Sequence, residues 1–106
     1  MSVLEKIKRL EKYIAVDSAT VDPVISMAID KLLAREVTRM LEVKARLGAQ
    51  LKEFEKKYSL NSSDFYTRYK KGAMGDDVDF IEWAATVEMV ENAEKRLALL
   101  NKESYS

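Results

Sequence analysis

Between Pro23 and Tyr58 the chain contains no internal proline, and its only glycine there is Gly48. A helix over that run is ~54 Å long, at about 1.5 Å per residue. A compact globule of this chain's size has a radius of gyration of only about 13 Å. Such a helix projects beyond any body the chain can build alone. It must lie along a partner helix, a second copy of itself or another protein. The constraint concerns architecture and association, and it names no reaction.

Composition supports helices throughout. One proline and three glycines among 106 residues leave few breakers, and 47% apolar residues are enough for a core. The expectation is one all-α domain over 1–106, an extended antiparallel hairpin with one very long helix, a short corner helix and an N-terminal helix. The 18 basic and 18 acidic residues cancel, so the positive excess usual in nucleic-acid binders is missing. With no cysteine and no histidine, thiolate catalysis and Ser-His-Asp arrangements are excluded. No catalytic residue, metal site or cofactor is assigned. No apolar run is long enough to span a bilayer, and the N-terminus has no signal-peptide core, so a cytoplasmic location is expected.

The N-terminal helix, within 1–17, starts at Ser2, with Glu5 completing a capping box. Val3, Leu4, Ile7, Leu10 and Ile14 share one face. Asp22 and Pro23 open the long helix, 22–58, in the two positions that favour them. Leu33, Met40, Leu47 and Phe54 recur every seven residues. Val37, Leu51 and Tyr58 form a companion stripe, interrupted by Lys44. This heptad seam of Leu33, Val37, Met40, Lys44, Leu47, Leu51 and Phe54 is the expected oligomer contact, with a homodimer the expected assembly. Lys44 either sets register there or marks an exposed point. A short helix, 63–71, is capped by Ser62 or Ser63 and ended by Gly72. The last helix, 77–101, is capped by Asp77. It carries a main stripe of Phe80, Trp83, Ala84, Val87, Val90 and Leu97, and a second apolar face of Ile81, Ala85, Met89 and Leu99. Residues 102–106 are expected to fray.

Three polar or aromatic groups are candidates for function. Asp76, Asp77, Asp79 and Glu82 either cap and complement a helix N-terminus or meet a basic partner surface, and Asp79 and Glu82, three apart on a helix, are spaced to share a divalent ion. Tyr66, Tyr69 and Trp83, with Phe65 and Phe80, either lock the short helix onto the hairpin or anchor a partner. Arg68, Lys70 and Lys71 beside Tyr66 and Tyr69 are a solvated helix end or a weak single-strand nucleic-acid contact.

The string Phe54-Glu55-Lys56-Lys57-Tyr58, Ser62-Ser63-Asp64-Phe65-Tyr66, Gly72, Gly75-Asp76-Asp77 and Phe80-Ile81-Glu82-Trp83-Ala84 resembles a group of small helical prokaryotic proteins. Members are of the antitoxin-like type, often encoded beside ribonuclease-like toxins. The likeness covers roughly Asp22 to Leu100. It implies a non-enzymatic protein-binding module that neutralises a small toxin by direct helical contact. Tyr66, Tyr69, Asp76, Asp77, Asp79, Glu82 and Trp83 would be the partner-binding residues. The alternatives are a scaffold homodimer and a weak nucleic-acid binder.

Overall fold

The computed structural model describes residues 1–101, so the segment expected to fray lies outside the described residues. Those residues are all-α. Helix α1 is Val3–Val16, α2 is Pro23–Tyr58, α3 is Ser62–Lys70 and α4 is Val78–Asn101, with a single 3-10 turn, Ser18–Thr20, between α1 and α2. The chain divides into two compact units, Met1–Ala34 and Arg35–Ser106.

In the first unit, α1 begins as its sequence dictates. The Ser2 hydroxyl accepts from Glu5 N–H, and the Glu5 carboxylate accepts from Ser2 N–H, each at 3.1 Å. Those two bonds, the backbone one first, hold the Glu5 carboxyl below the usual carboxylate range. The start of α2 is capped by Asp22, whose carboxylate accepts from Val24 N–H at 2.8 Å. Ile7, Ile14, Ala15 and Ile29 line an open recess between α1 and the start of α2. No residue of this unit is buried. The apolar start of α2 leaves Val24, Met27, Leu32 and Leu33 exposed.

The second unit is an antiparallel hairpin of α2 (from Arg35) and α4, with α3 at the corner. Lys44 on α2 meets Glu94 on α4 at 3.3 Å, and Tyr58 meets Phe80 with ring centroids 5.1 Å apart. Glu94 lies seven residues before Asn101, so the register of α4 runs out seven residues before Lys44, at Val37. That limit explains why the second unit begins where it does.

The seam expected to join two chains is largely occupied within one. Met40 and Leu47 are buried, Leu51 and Phe54 pack against the core that contains Trp83, and Lys44 pairs with Glu94. The reason is length: α4 has 24 residues, enough to cover the α2 stripe from Val37 onward. Leu33 falls in the first unit and remains exposed.

The corner is held by aromatic rings. Phe65 and Trp83 are both 0% exposed, and their rings stack at 3.9 Å with an interplanar angle of 2°. Phe54 stacks on the same indole at 5.5 Å. The Trp83 indole Nε1–H donates to the Ser62 hydroxyl at 2.9 Å, which meets the demand of a buried donor. Asn61, rather than Ser62 or Ser63, caps α3: its side-chain oxygen accepts from Asp64 N–H at 2.7 Å. Ser62 is instead held by its own N–H, which donates to Glu55 at 2.8 Å. The two turns flanking α3 use left-handed residues, Ser59 (φ 50°) and Gly72 (φ 77°). Each lets the following N–H reach back to the last helical turn, Leu60 to Glu55 and Ala73 to Arg68.

Candidate protein-binding surface

Helix α4 carries apolar residues on more than one face, and α2 and α3 cover only part of it. Its buried residues are Trp83, Ala84, Thr86, Ala93 and Leu97. Thr86 is the one polar member, and its hydroxyl donates to the Glu82 carbonyl at 2.8 Å. Val78, Ile81, Ala85 and Met89 follow one another along a flanking stripe at helical spacing, and Leu99 lies further on, beyond Asn92 and Arg96. Val78, Ile81, Met89 and Leu99 are exposed, by 48% at Ile81 and up to 74% at Leu99. The stripe adjoins a groove of about 420 Å³ between α2 and α4, walled by Met40, Val43, Leu47, Ala85, Met89 and Ala93. Arg46, Glu88, Asn92 and Arg96 also line it. An apolar trough with charges of both signs along its edge is the arrangement that receives an amphipathic helix.

The acidic cluster is mostly engaged in holding the fold. Asp77 caps α4, its carboxylate accepting from Asp79 N–H at 2.9 Å. One oxygen of Asp79 accepts from Lys57 at 2.6 Å and from the Tyr58 hydroxyl at 2.5 Å. These bonds depress the Asp79 pKa, Lys57 contributing most. They raise those of Lys57 and Tyr58, in both cases chiefly through the bond to Asp79. Asp76 and Glu82 remain exposed without such ties. Among the described residues no group of three or more His, Cys, Asp or Glu is placed to hold a metal ion, so Asp79 and Glu82 are not joined by a third ligand.

The aromatic group divides in two. Trp83, expected to reach a partner, is a core residue, because burial of its indole is what attaches α3. Tyr69 packs on Phe65 at 5.6 Å. Tyr66 is half-buried; its hydroxyl donates to Glu88 at 2.8 Å, which raises its pKa, and Lys70 lies 5.5 Å over its ring. The rings that would stack on a nucleic-acid base therefore already face Lys70 or the core.

Sequence reasoning found the α4 stripe as a second apolar face and gave it no role. It missed the acceptors Ser62 and Glu55 and the partners of Asp79 and Lys44. The Asp79 and Lys44 pairings require knowing the α2–α4 register, and the Ser62 and Glu55 bonds require knowing how α3 turns back onto α4 and α2; spacing within one helix contains neither. Among the described residues no helix is long and apolar enough to cross a membrane. Compared with protein-family models, with curated proteins and with solved structures, the chain has no match.

Proposed function

We propose that this chain is a non-enzymatic protein-binding module that works by direct helical contact. What supports the reading is the imbalance of its apolar residues. Among the described residues sixteen large apolar side chains are exposed, against seven apolar residues buried, and contiguous exposed apolar surface is the usual mark of an interaction site. The perturbed titratable groups point the same way. Asp79, Lys57, Tyr58, Tyr66 and Glu5 each owe their shift to a cap or a tie between helices. In the second unit, the α4 stripe and its groove would take an amphipathic helix of the partner. Asp76 and Glu82, at the α3–α4 end, would meet basic side chains. A small ribonuclease-like toxin is the partner class that the sequence resemblance names.

The test is co-expression with the product of the adjacent gene, followed by molar-mass measurement on the purified complex. A stable heterocomplex that Met89→Glu disrupts is the expected result. Absence of a complex with that product would remove the antitoxin-type reading. The exposed first unit favours a second reading, a scaffold homodimer, which predicts self-association and indifference to the neighbour.

A further inference from the structure

The first unit has an unusual deficit. Its 34 residues contain no buried side chain, yet Val3, Leu4, Ile7, Leu10, Met27 and Leu33 are among ten large apolar residues it leaves exposed beyond Met1. Helical pieces below about 40 residues rarely hold together without a partner, a metal or a crosslink. From the usual transfer scale, ten partly exposed side chains of this kind offer roughly 400–800 Å² of apolar area. A standard interface takes about 800 Å² from each partner, a little over half of it apolar. The unit therefore carries the apolar area one side of a stable interface needs.

Its charges identify the occupant. Helix α1 carries Lys6, Lys8, Arg9 and Lys12 against Glu5 and Glu11, an excess of two positive charges. The remainder of the unit carries Asp17, Asp22 and Asp30 against Lys31, an excess of two negative charges. The unit is thus neutral as a whole and oppositely charged in its two halves. A two-fold arrangement of identical copies sets each half against its opposite in the other copy, because each contact is then repeated with roles exchanged.

We propose that Met1–Ala34 is the self-association unit of this protein. Helix α1 of one copy lies against the start of α2 of a second copy, and the two hairpins close into a four-helix bundle. The proposal rests on the homodimer reading of this unit and uses residues other than the α4 stripe, so it and the toxin-binding reading fail separately.

The test uses the full chain and two sets of surface substitutions that leave the apolar faces intact. Wild type should run at twice its 12.1 kDa by size-exclusion chromatography with light scattering. Lys8→Glu with Lys12→Glu makes α1 negative, and Asp17→Lys with Asp30→Lys makes the other half positive. Each set should weaken self-association at least tenfold, and an equimolar mixture of the two should restore a dimer. Fluorescence of Trp83, the only tryptophan, should stay unchanged and so report an intact second unit. A wild type that stays at 12.1 kDa up to about 100 µM would overturn the proposal. So would a dimer that ignores both charge sets but dissociates with Met89→Glu, or a mixture that recovers nothing.

Discussion

Replacing Phe65 by alanine tests whether the aromatic corner holds the second unit together. Phe65 is fully buried and its ring lies flat on Trp83 at 3.9 Å. Removing a buried phenylalanine side chain costs about 3–5 kcal/mol, transfer and cavity together. Loss of the stacked pair, worth about 0.5–1.5 kcal/mol beyond area, places this site toward the upper end. A unit of about 70 residues has roughly 3.5–10 kcal/mol of total stability, so the substitution should remove about half or more of it. The assay is urea unfolding followed by Trp83 emission and by far-UV circular dichroism. With a slope of about 1 kcal/mol per molar urea, the midpoint should fall by ~3 M or more, or the unit should already be open without denaturant. Ser62→Ala is the companion variant. It leaves the Trp83 indole without its acceptor and should cost about 1–3 kcal/mol. A Phe65→Ala loss below about 1.5 kcal/mol, with the Trp83 emission unshifted, would refute the reasoning: α3 would then be held by something other than this stack.

Other consequences are simpler to check. Ser59 adopts a left-handed φ of 50°, so Ser59→Gly should stabilise by about 0.5–1 kcal/mol in the same urea assay. Gly48 lies inside α2 with no atom within 4 Å of where a Cβ would sit, and Gly48→Ala should also raise stability by about 0.5–1 kcal/mol. Asn61→Ala removes the α3 cap and should lower thermal stability by roughly 1 kcal/mol. The Lys57–Asp79–Tyr58 tie gives a signed pH dependence. The depressed Asp79 pKa means its contribution is complete above the ordinary carboxylate range of about 4 and disappears as pH falls through the folded value. The raised Tyr58 and Lys57 values mean theirs is complete below about 10 and disappears as pH rises past the folded values. Asp79→Asn should flatten both limbs of a stability-against-pH profile, and unchanged limbs would show that the tie does not form in solution.

The sequence carries the helices and their ends better than their partnerships. Ser2 with Glu5, Asp22 before Pro23, and Asp77 before α4 are local chemistry, and each cap forms where the residues place it. Asn61 and the two serines after it all suit a cap, so residue type alone does not choose among them. The choice is made by Glu55, which captures the Ser62 N–H from the previous helix. The heptad stripe on α2 was legible as a stripe, but a stripe does not say whose helix covers it. Twenty-four residues of α4 folding back answer that for Val37 onward. Trp83 was ambiguous for the same reason: large aromatics suit cores and interfaces alike, and only the arrival of α3 above it decides. The candidate surface was visible as an apolar face of α4, and its exposure followed from the width of the hairpin, which no single-helix pattern encodes.

The aromatic corner also sets an order of events in folding. Phe54, Tyr58, Phe65, Tyr69, Phe80 and Trp83 all fall within about thirty positions of one another. Loops that short close in well under a microsecond, and folds dominated by such near contacts form in microseconds to milliseconds. The corner is therefore the natural nucleus, and α2 and α4 zip away from it toward Arg35 and Asn101. A ribosome, however, delivers the chain in the opposite sense. Met1–Ala34 is synthesised ahead of the second unit, and none of its own residues is buried. If Met1–Ala34 associates with a second copy as proposed, its completion is a bimolecular step whose rate rises with protein concentration.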